Sequence, residues 1–472
     1  MAIAALPCAV AANTANTQRE AATDGNAQAA PAPEIMTKLS TYMSEAGDRA
    51  LPDYVMEKTK EHTLDTIASM ISGVDLPPAQ IALRFAREQA GQQQVATIVG
   101  TELLCGPLEA ALANGMMAHS DETDDSHAPS HSHPGCAIVA AALAAGERFG
   151  VSGMRFLRSI TLGYDIGPRV LLTLGGLPFQ MTTHRSAHCI ANTFGASAAA
   201  GCAAQFTAQQ MRWLLDYAAQ QASGIAAWQR DTQHIEKSFV FAGSTARNGV
   251  TAALLIHLGA TGVDDIFSGA DNFLLTFAPN ADPEKLIDKL GERYEVTRTN
   301  IKKWTVGSPI QAPLDAIEDL MKQHPFTPDQ VESVIVRVAT SEAKTVNDRN
   351  MPDISLQHMT AVMIVDKTVT FRSAHDKSRM QNPAVLAIKQ KVKLVPDEAL
   401  EKLYPKRVTI TEVNLKDGSH LTQRVEAVRG TAENPMSRQE VITKARDLME
   451  PYLGTEQTAK LIEAVFNIEA VK

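Results

Sequence analysis

The chain has 472 residues, of which 44% are hydrophobic and 21% charged, with a net charge of −9 and a pI near 5.8. That is ample for more than one domain around a large core, and the acidic balance argues against a nucleic-acid partner, so an anionic substrate needs a local basic pocket. No run approaches the roughly 20 apolar residues of a membrane span, and five scattered cysteines (Cys8, Cys105, Cys136, Cys189, Cys202) without C-x-x-C spacing argue for buried thiols in a reducing, cytoplasmic setting over a zinc ribbon.

Residues 1–33 are rich in Ala, Asn, Thr, Gln and Pro and lack aromatics, which predicts a disordered tail. Its segment from Ala2 to Ala12 has the apolarity of a leader core but no basic residue before it. An all-helical domain is expected over 34–280. Val55, His62, Leu64, Ile67, Ala68 and Ile71 share one helical face, which Gly73 ends. A helix is read after Pro77, then from Glu109 to Met117, Ala137 to Phe149, Gly153 to Leu174, His184 to Ala204 and Met211 to Trp228. Ala- and Gly-rich helices approach closely, so the expected outcome is a tight bundle.

Between two of these helices lies the most polar stretch of the chain, from His119 to Gly135. It holds four histidines (His119, His127, His131, His133) and four carboxylates (Asp121, Glu122, Asp124, Asp125). Imidazoles and carboxylates crowded together perturb one another's pKa values, which supplies an acid and a base near neutral pH. A His/carboxylate metal site and a helix-capping loop are the competing readings. Gln229 to Gly249 reads as a second polar loop, with Arg230, His234, Lys237 and Arg247 as candidate clamps for substrate carboxylates. His184 and His188, one helical turn apart, offer another base.

The composition changes near Asn280, and an α+β lid is expected over 281–430. A helix is read at Leu286 to Leu290, strands at Val331 to Ala339, Arg407 to Leu415 and Leu421 to Val428, and helices at Leu314 to Lys322, Leu356 to Val365 and Pro383 to Lys391. Ser437 caps a helix from Arg438 to Met449, and residues 431–472 return to the helical domain. The expected fold is thus mainly α, a large all-helical domain with a smaller α+β lid and a cleft between them.

The ordered segments Ala118 to His127 (AHSDETDDSH) with His133-Pro-Gly, Thr193 to Ala200, His234 to Gly249, Lys302 to Ala316 and Met351 to His358 resemble the motifs of the MmgE/PrpD family over roughly residues 36–455. That family includes 2-methylcitrate dehydratase, cis-aconitate decarboxylase and iminodisuccinate epimerase. The resemblance implies a homodimer that works without metal or organic cofactor on a small di- or tricarboxylate, with a hydro-lyase as the first expectation and an epimerase or decarboxylase as the second. Other classes that fit the residues are a metal-dependent hydrolase and a non-catalytic acid-binding protein. By resemblance the catalytic candidates are Glu122, Asp125, His133, His184, Lys237 and Lys302, and the substrate-binding candidates Ser126, His127, His188, His234, Arg247 and Gln311. A histidine or carboxylate would take a proton alpha to a carboxylate while Lys237 and Lys302 stabilise the developing charge. The sequence departs from the motif at Glu122, where the family has Asp, at Thr123, where it has an aromatic, and at Gln311, where many members have His.

Overall fold

Small residues set the spacing of the helices. In the computed structural model, which describes residues 34–472, helices α1 (Glu34–Glu45), α2 (Asp53–Gly73), α3 (Pro77–Gln89), α4 (Pro107–Ala118), α5 (Gly135–Phe149), α6 (Gly153–Leu174), α7 (Leu177–Thr183), α8 (Ala187–Ala203) and α9 (Ala208–Gln221) build the first part of the chain. The tail and leader readings lie outside the described residues. Every residue of α8 is buried, so it is a core helix with no solvent face. It meets α6 backbone to backbone: a Cβ at Gly167 would lie 2.5 Å from the Ala191 carbonyl oxygen, and one at Gly195 2.9 Å from that of Gly163.

The stretch from 229 to 249 is a loop only up to His234. Helix α10 (Ile235–Ser238) runs through a π-helical turn, Phe239–Gly243, into α11 (Ser244–His257). Phe241, Ala242, Thr245, Ala246, Gly249 and Val250 are its buried face, and that helical period outweighs the polar residues between them. Ile235–His257 is long and apolar enough to pass a composition test for a membrane span, yet 56% of the window is buried inside the protein.

Past the short α12 (Phe273–Phe277), Pro283–Leu286 makes a single 3₁₀ turn, and positive φ at Lys289 and Gly291 stops the helix expected at Leu286 to Leu290. A four-stranded sheet then forms in the order β4-β3-β5-β6, after the two-residue pair β1 (Ala96–Thr97) and β2 (Leu104–Cys105) earlier in the chain. Strand β3 (Val331–Ala339) pairs parallel with β4 (Val392–Asp397) and antiparallel with β5 (Thr409–Leu415), which pairs with β6 (His420–Val425). Sequence periodicity finds β3, β5 and β6. It misses β4, an edge strand that is half polar and holds Pro396. Helices α13 (Ser308–Gln323), α14 (Thr340–Val346), α15 (Leu356–Asp366), α16 (Phe371–His375), α17 (Pro383–Lys389) and α18 (Glu398–Glu401) accompany the sheet. A second core joins Ile310, Leu314, Val334, Val336, Met359 and Val413. The architecture is mainly α with a smaller α+β part.

The last helix, α19 (Arg438–Phe466), starts at a capping box of Ser437 and Glu440 and runs well past Met449, with one break at Gly454 (φ 72°). It packs Val441, Ala445 and Leu448 on Leu64, Ala68 and Ile71 of α2, and Ile301 and Phe371 join the same cluster. Helix α19 is therefore fastened to α2. Gly167→Ala should lower stability by about 1–3 kcal/mol through overpacking against the Ala191 carbonyl, whereas Gly91→Ala, with nothing within 4 Å, should be near neutral. Denaturant midpoints of the two variants check this.

Candidate active site

The loop between α4 and α5 carries its charges into the interior. His119, Asp121, Glu122, Asp124, Asp125 and His127 are all buried, so each needs a partner to offset lost hydration. Asp125 accepts from His62 Nδ1 (2.8 Å), Tyr164 Oη (2.5 Å) and the Gly135 amide (3.0 Å), which ties the loop to α2, α5 and α6. His127 contacts Ser130 Oγ (2.7 Å) and Glu295 (3.1 Å). Ser126 and Asn300 exchange backbone hydrogen bonds at 3.0 and 2.8 Å. Lys444, on α19, donates to the Thr123 carbonyl (2.9 Å) and pairs with Asp65 (2.6 Å). Asp125 and His127 thus hold the loop in place.

Two groups remain at the centre. Asp124 lies 2.9 Å from His119 Nδ1 and 3.2 Å from His133 Nδ1. Burial alone would raise its pKa, but the two histidines hold it well below the carboxylate range. Both rings therefore donate from Nδ1, which leaves Nε2 of each with its lone pair. Burial pushes His133 down to about 4 and lowers His119 and His188 too, so these imidazoles are neutral and able to accept a proton. Phe241 stacks on His188 (centroids 3.7 Å apart) and on His119 (4.7 Å), and Trp228 meets it edge-on, forming an aromatic wall.

Glu122 is the second group. It pairs with Lys237, contacts His234 Nε2 at 3.0 Å and lies 3.8 Å from Lys302 Nζ, which also donates to the Glu122 carbonyl at 2.7 Å. Burial works to raise its pKa, but Lys237 first, then His234 and Lys302, hold it well below the usual range. Two lysines, one from α10 and one from the start of the α+β part, thus converge on a single carboxylate.

Of the sequence candidates, Glu122, His133, His188, His234, Lys237 and Lys302 meet here. His184 does not: it is exposed and caps α7 in the left-handed conformation (φ 59°), and its carbonyl accepts from the Ala226 amide. Arg247 is exposed on α11, outside the cluster. Gln311 spends its amide on the backbone of Trp304 and Val306, at 2.7 to 3.0 Å, and so braces the segment that carries Lys302 instead of facing the histidines. Ser126 borders an adjoining cavity.

Two further residues reach the cluster from the α+β part, His375 from outside every motif and Asp353 from the segment Met351 to His358, where the resemblance gives it no role. His375, at the end of α16, places Nε2 2.8 Å from Asp121, off the line of an ideal hydrogen bond. Burial opposes its charge, yet Asp121 raises it to about 9. Buried Asp353 is pushed up to about 6 by desolvation, opposed by His375 and reinforced by Glu122 and Asp121.

His119, Asp124 and His133 also place ligand atoms within 4.8 Å of one another, a spacing that a metal ion could use. Both histidines, however, direct Nδ1 at the Asp124 oxygens at hydrogen-bonding distance, and the Lys302 ammonium lies 3.8 Å from the same carboxylate. A dication at that point would meet a fixed positive charge, so the donor set fits a proton network better than a metal.

Comparison with known proteins matches residues 37–286 to the MmgE/PrpD N-terminal domain and residues 304–469 to the MmgE/PrpD C-terminal domain. The chain belongs to the MmgE/PrpD family. Among its relatives, the cis-aconitate decarboxylase-like protein oryM of Aspergillus oryzae is 23% identical, over 93% of this chain and 95% of its own. Cis-aconitate decarboxylase of Aspergillus terreus is 23% identical over 92% and 93%, and that of Homo sapiens 24% over 89% and 88%. This MmgE/PrpD protein is thus an enzyme by kinship, with its buried charges gathered where the two family domains meet.

Because His375 is raised to about 9 from its ordinary 6.5, its stabilising contribution is complete below pH 6.5 and is lost as the pH rises through about 9. A displacement of that size corresponds to on the order of 3 kcal/mol. The thermal midpoint should fall between pH 6.5 and 9.5 in the wild type. His375→Gln should flatten that segment of the curve.

Proposed function

We propose that this protein is a cofactor-independent lyase that moves a proton at the carbon next to a carboxylate of a small di- or tricarboxylic acid. The observation that carries the reading is the juxtaposition of neutral, hydrogen-bonded imidazoles with a pair of lysines around Glu122. An enediolate-like species needs positive charge beside its carboxylate, and Lys237 and Lys302 supply it in a dry site where such charge acts strongly. A base or acid must sit at the carbon, and His133 Nε2 has the free lone pair for it.

Loss of carbon dioxide is the first reading, because the relatives bear that activity in their names. In that step the carbon–carbon bond breaks, carbon dioxide leaves, the electron pair passes into the enediolate, and a proton taken up from solvent by an imidazole is delivered to the carbon. Elimination of water is the second, favoured by Asp353, whose pKa near 6 suits an acid that protonates a departing hydroxyl. There an imidazole takes the α-proton, and the hydroxyl leaves with the proton of the carboxyl group. Glu122 already occupies both lysines, so a substrate carboxylate has to share or displace it. A substrate smaller than those of the Asp-bearing members fits that constraint.

Incubation with citrate, 2-methylcitrate, cis-aconitate, malate, tartrate and iminodisuccinate in deuterated water, followed by NMR, tests the reading. At least one acid should lose carbon dioxide or water with solvent deuterium at the α-carbon. His133→Ala and Lys237→Ala should each slow that reaction by about 10²-fold or more. Wild-type rates in both variants would overturn the assignment, and exchange without net loss would mark an epimerase. Activity surviving exhaustive chelation is the expected outcome for a proton network.

A further inference from the structure

Beside the cluster lies a cavity of about 270 Å³, bordered by Ser126 and Lys302 on the catalytic side and by Pro405 to Arg407, Glu426 to Arg429 and Thr431 to Glu433 on the other. Ligand pockets run from roughly 300 Å³ upward, so this one suits a small acid and excludes a nucleotide. Its lining holds five cationic side chains against two carboxylates, in a protein whose net charge is −9.

Most of those cations are committed elsewhere. Arg298 pairs with Glu295 at 2.8 Å, and Arg429 grips Glu440 and Asn434. Arg407 differs. It gives one terminal nitrogen, Nη1, to Glu342, while Nε and Nη2 form the free edge of the guanidinium, the fork that matches a carboxylate with two parallel hydrogen bonds. Tyr404, whose ring centroid is 5.6 Å away, restrains its swing. Its field also reaches the catalytic loop, where it helps lower His131 and is itself raised by Glu122.

We propose that this cavity holds the non-reacting end of a di- or tricarboxylate and that the free edge of Arg407 binds the remote carboxylate. The proposal deepens the lyase reading and rests on it for the orientation of the ligand, with the reacting carboxylate toward Lys302 and the remote one toward Arg407. Arg407 thereby selects polycarboxylates over monocarboxylates.

The probe is tricarballylate, a saturated tricarboxylate with no leaving group, titrated calorimetrically into the full chain. Wild type should bind it, and Arg407→Gln should weaken binding about 10–100-fold, the usual effect of losing a charge-assisted hydrogen-bonded pair. Arg407→Lys keeps a cation for buried Glu342 but lacks the fork, so it should fold and still bind more weakly than wild type. Arg337→Gln, on β3 outside the cavity, should leave the affinity unchanged. His133→Ala should bind tricarballylate normally while losing deuterium exchange, which separates recognition from chemistry. Arg407-dependent binding without any exchange on the panel would retain this inference and remove the lyase reading. Wild-type affinity in Arg407→Lys and Arg407→Gln, or no binding to the wild type, would overturn the inference.

Discussion

A buried carboxylate is tolerable only when cations and donors replace the water it has lost, and Glu122 meets that condition with Lys237, His234 and Lys302. Stripping an ion of water carries an effective penalty of several kcal/mol, and removing one partner of such a cluster is correspondingly severe. The fold has to bring together a loop, a helix and the threshold of the α+β part before the charges balance. Charge neutralisation and site assembly are therefore one event here. The same logic extends outward through Asp125 and Asp65, each held by groups from other segments.

Chemistry that lies close in the chain could be read from the chain. The density of acids and histidines from His119 to Gly135 marks the site, and period-two alternation marks β3, β5 and β6. Neighbouring residues with opposite fates could not be told apart. Asp124 turns toward His119 and His133 while Asp125 turns back to Tyr164, and only the conformation of the turn decides which does which. His184 and His188 share a helical spacing, yet His184 leaves the helix in a left-handed conformation, so the spacing does not apply to it.

Other misses have a different cause. His375 and Arg407 sit in segments with no motif, and their importance comes from distant partners, Asp121 and the cavity beside Lys302. Periodicity and local composition carry no information about such pairs. The polar residues between 229 and 249 misled in the opposite direction, because a buried helix that bears Lys237 at its edge has to mix charge with apolar surface. The π-helical turn at Phe239–Gly243 is where that mixture is accommodated, setting Phe241 against both histidines.

The grip of α19 on the loop between α4 and α5 also makes distant parts of the chain answer to one another. Lys444 supplies the cation for Asp65 and the donor for the Thr123 carbonyl, so one side chain of α19 serves both α2 and the acidic loop. A displacement of α19 along α2 would therefore be felt directly in the backbone beside Glu122.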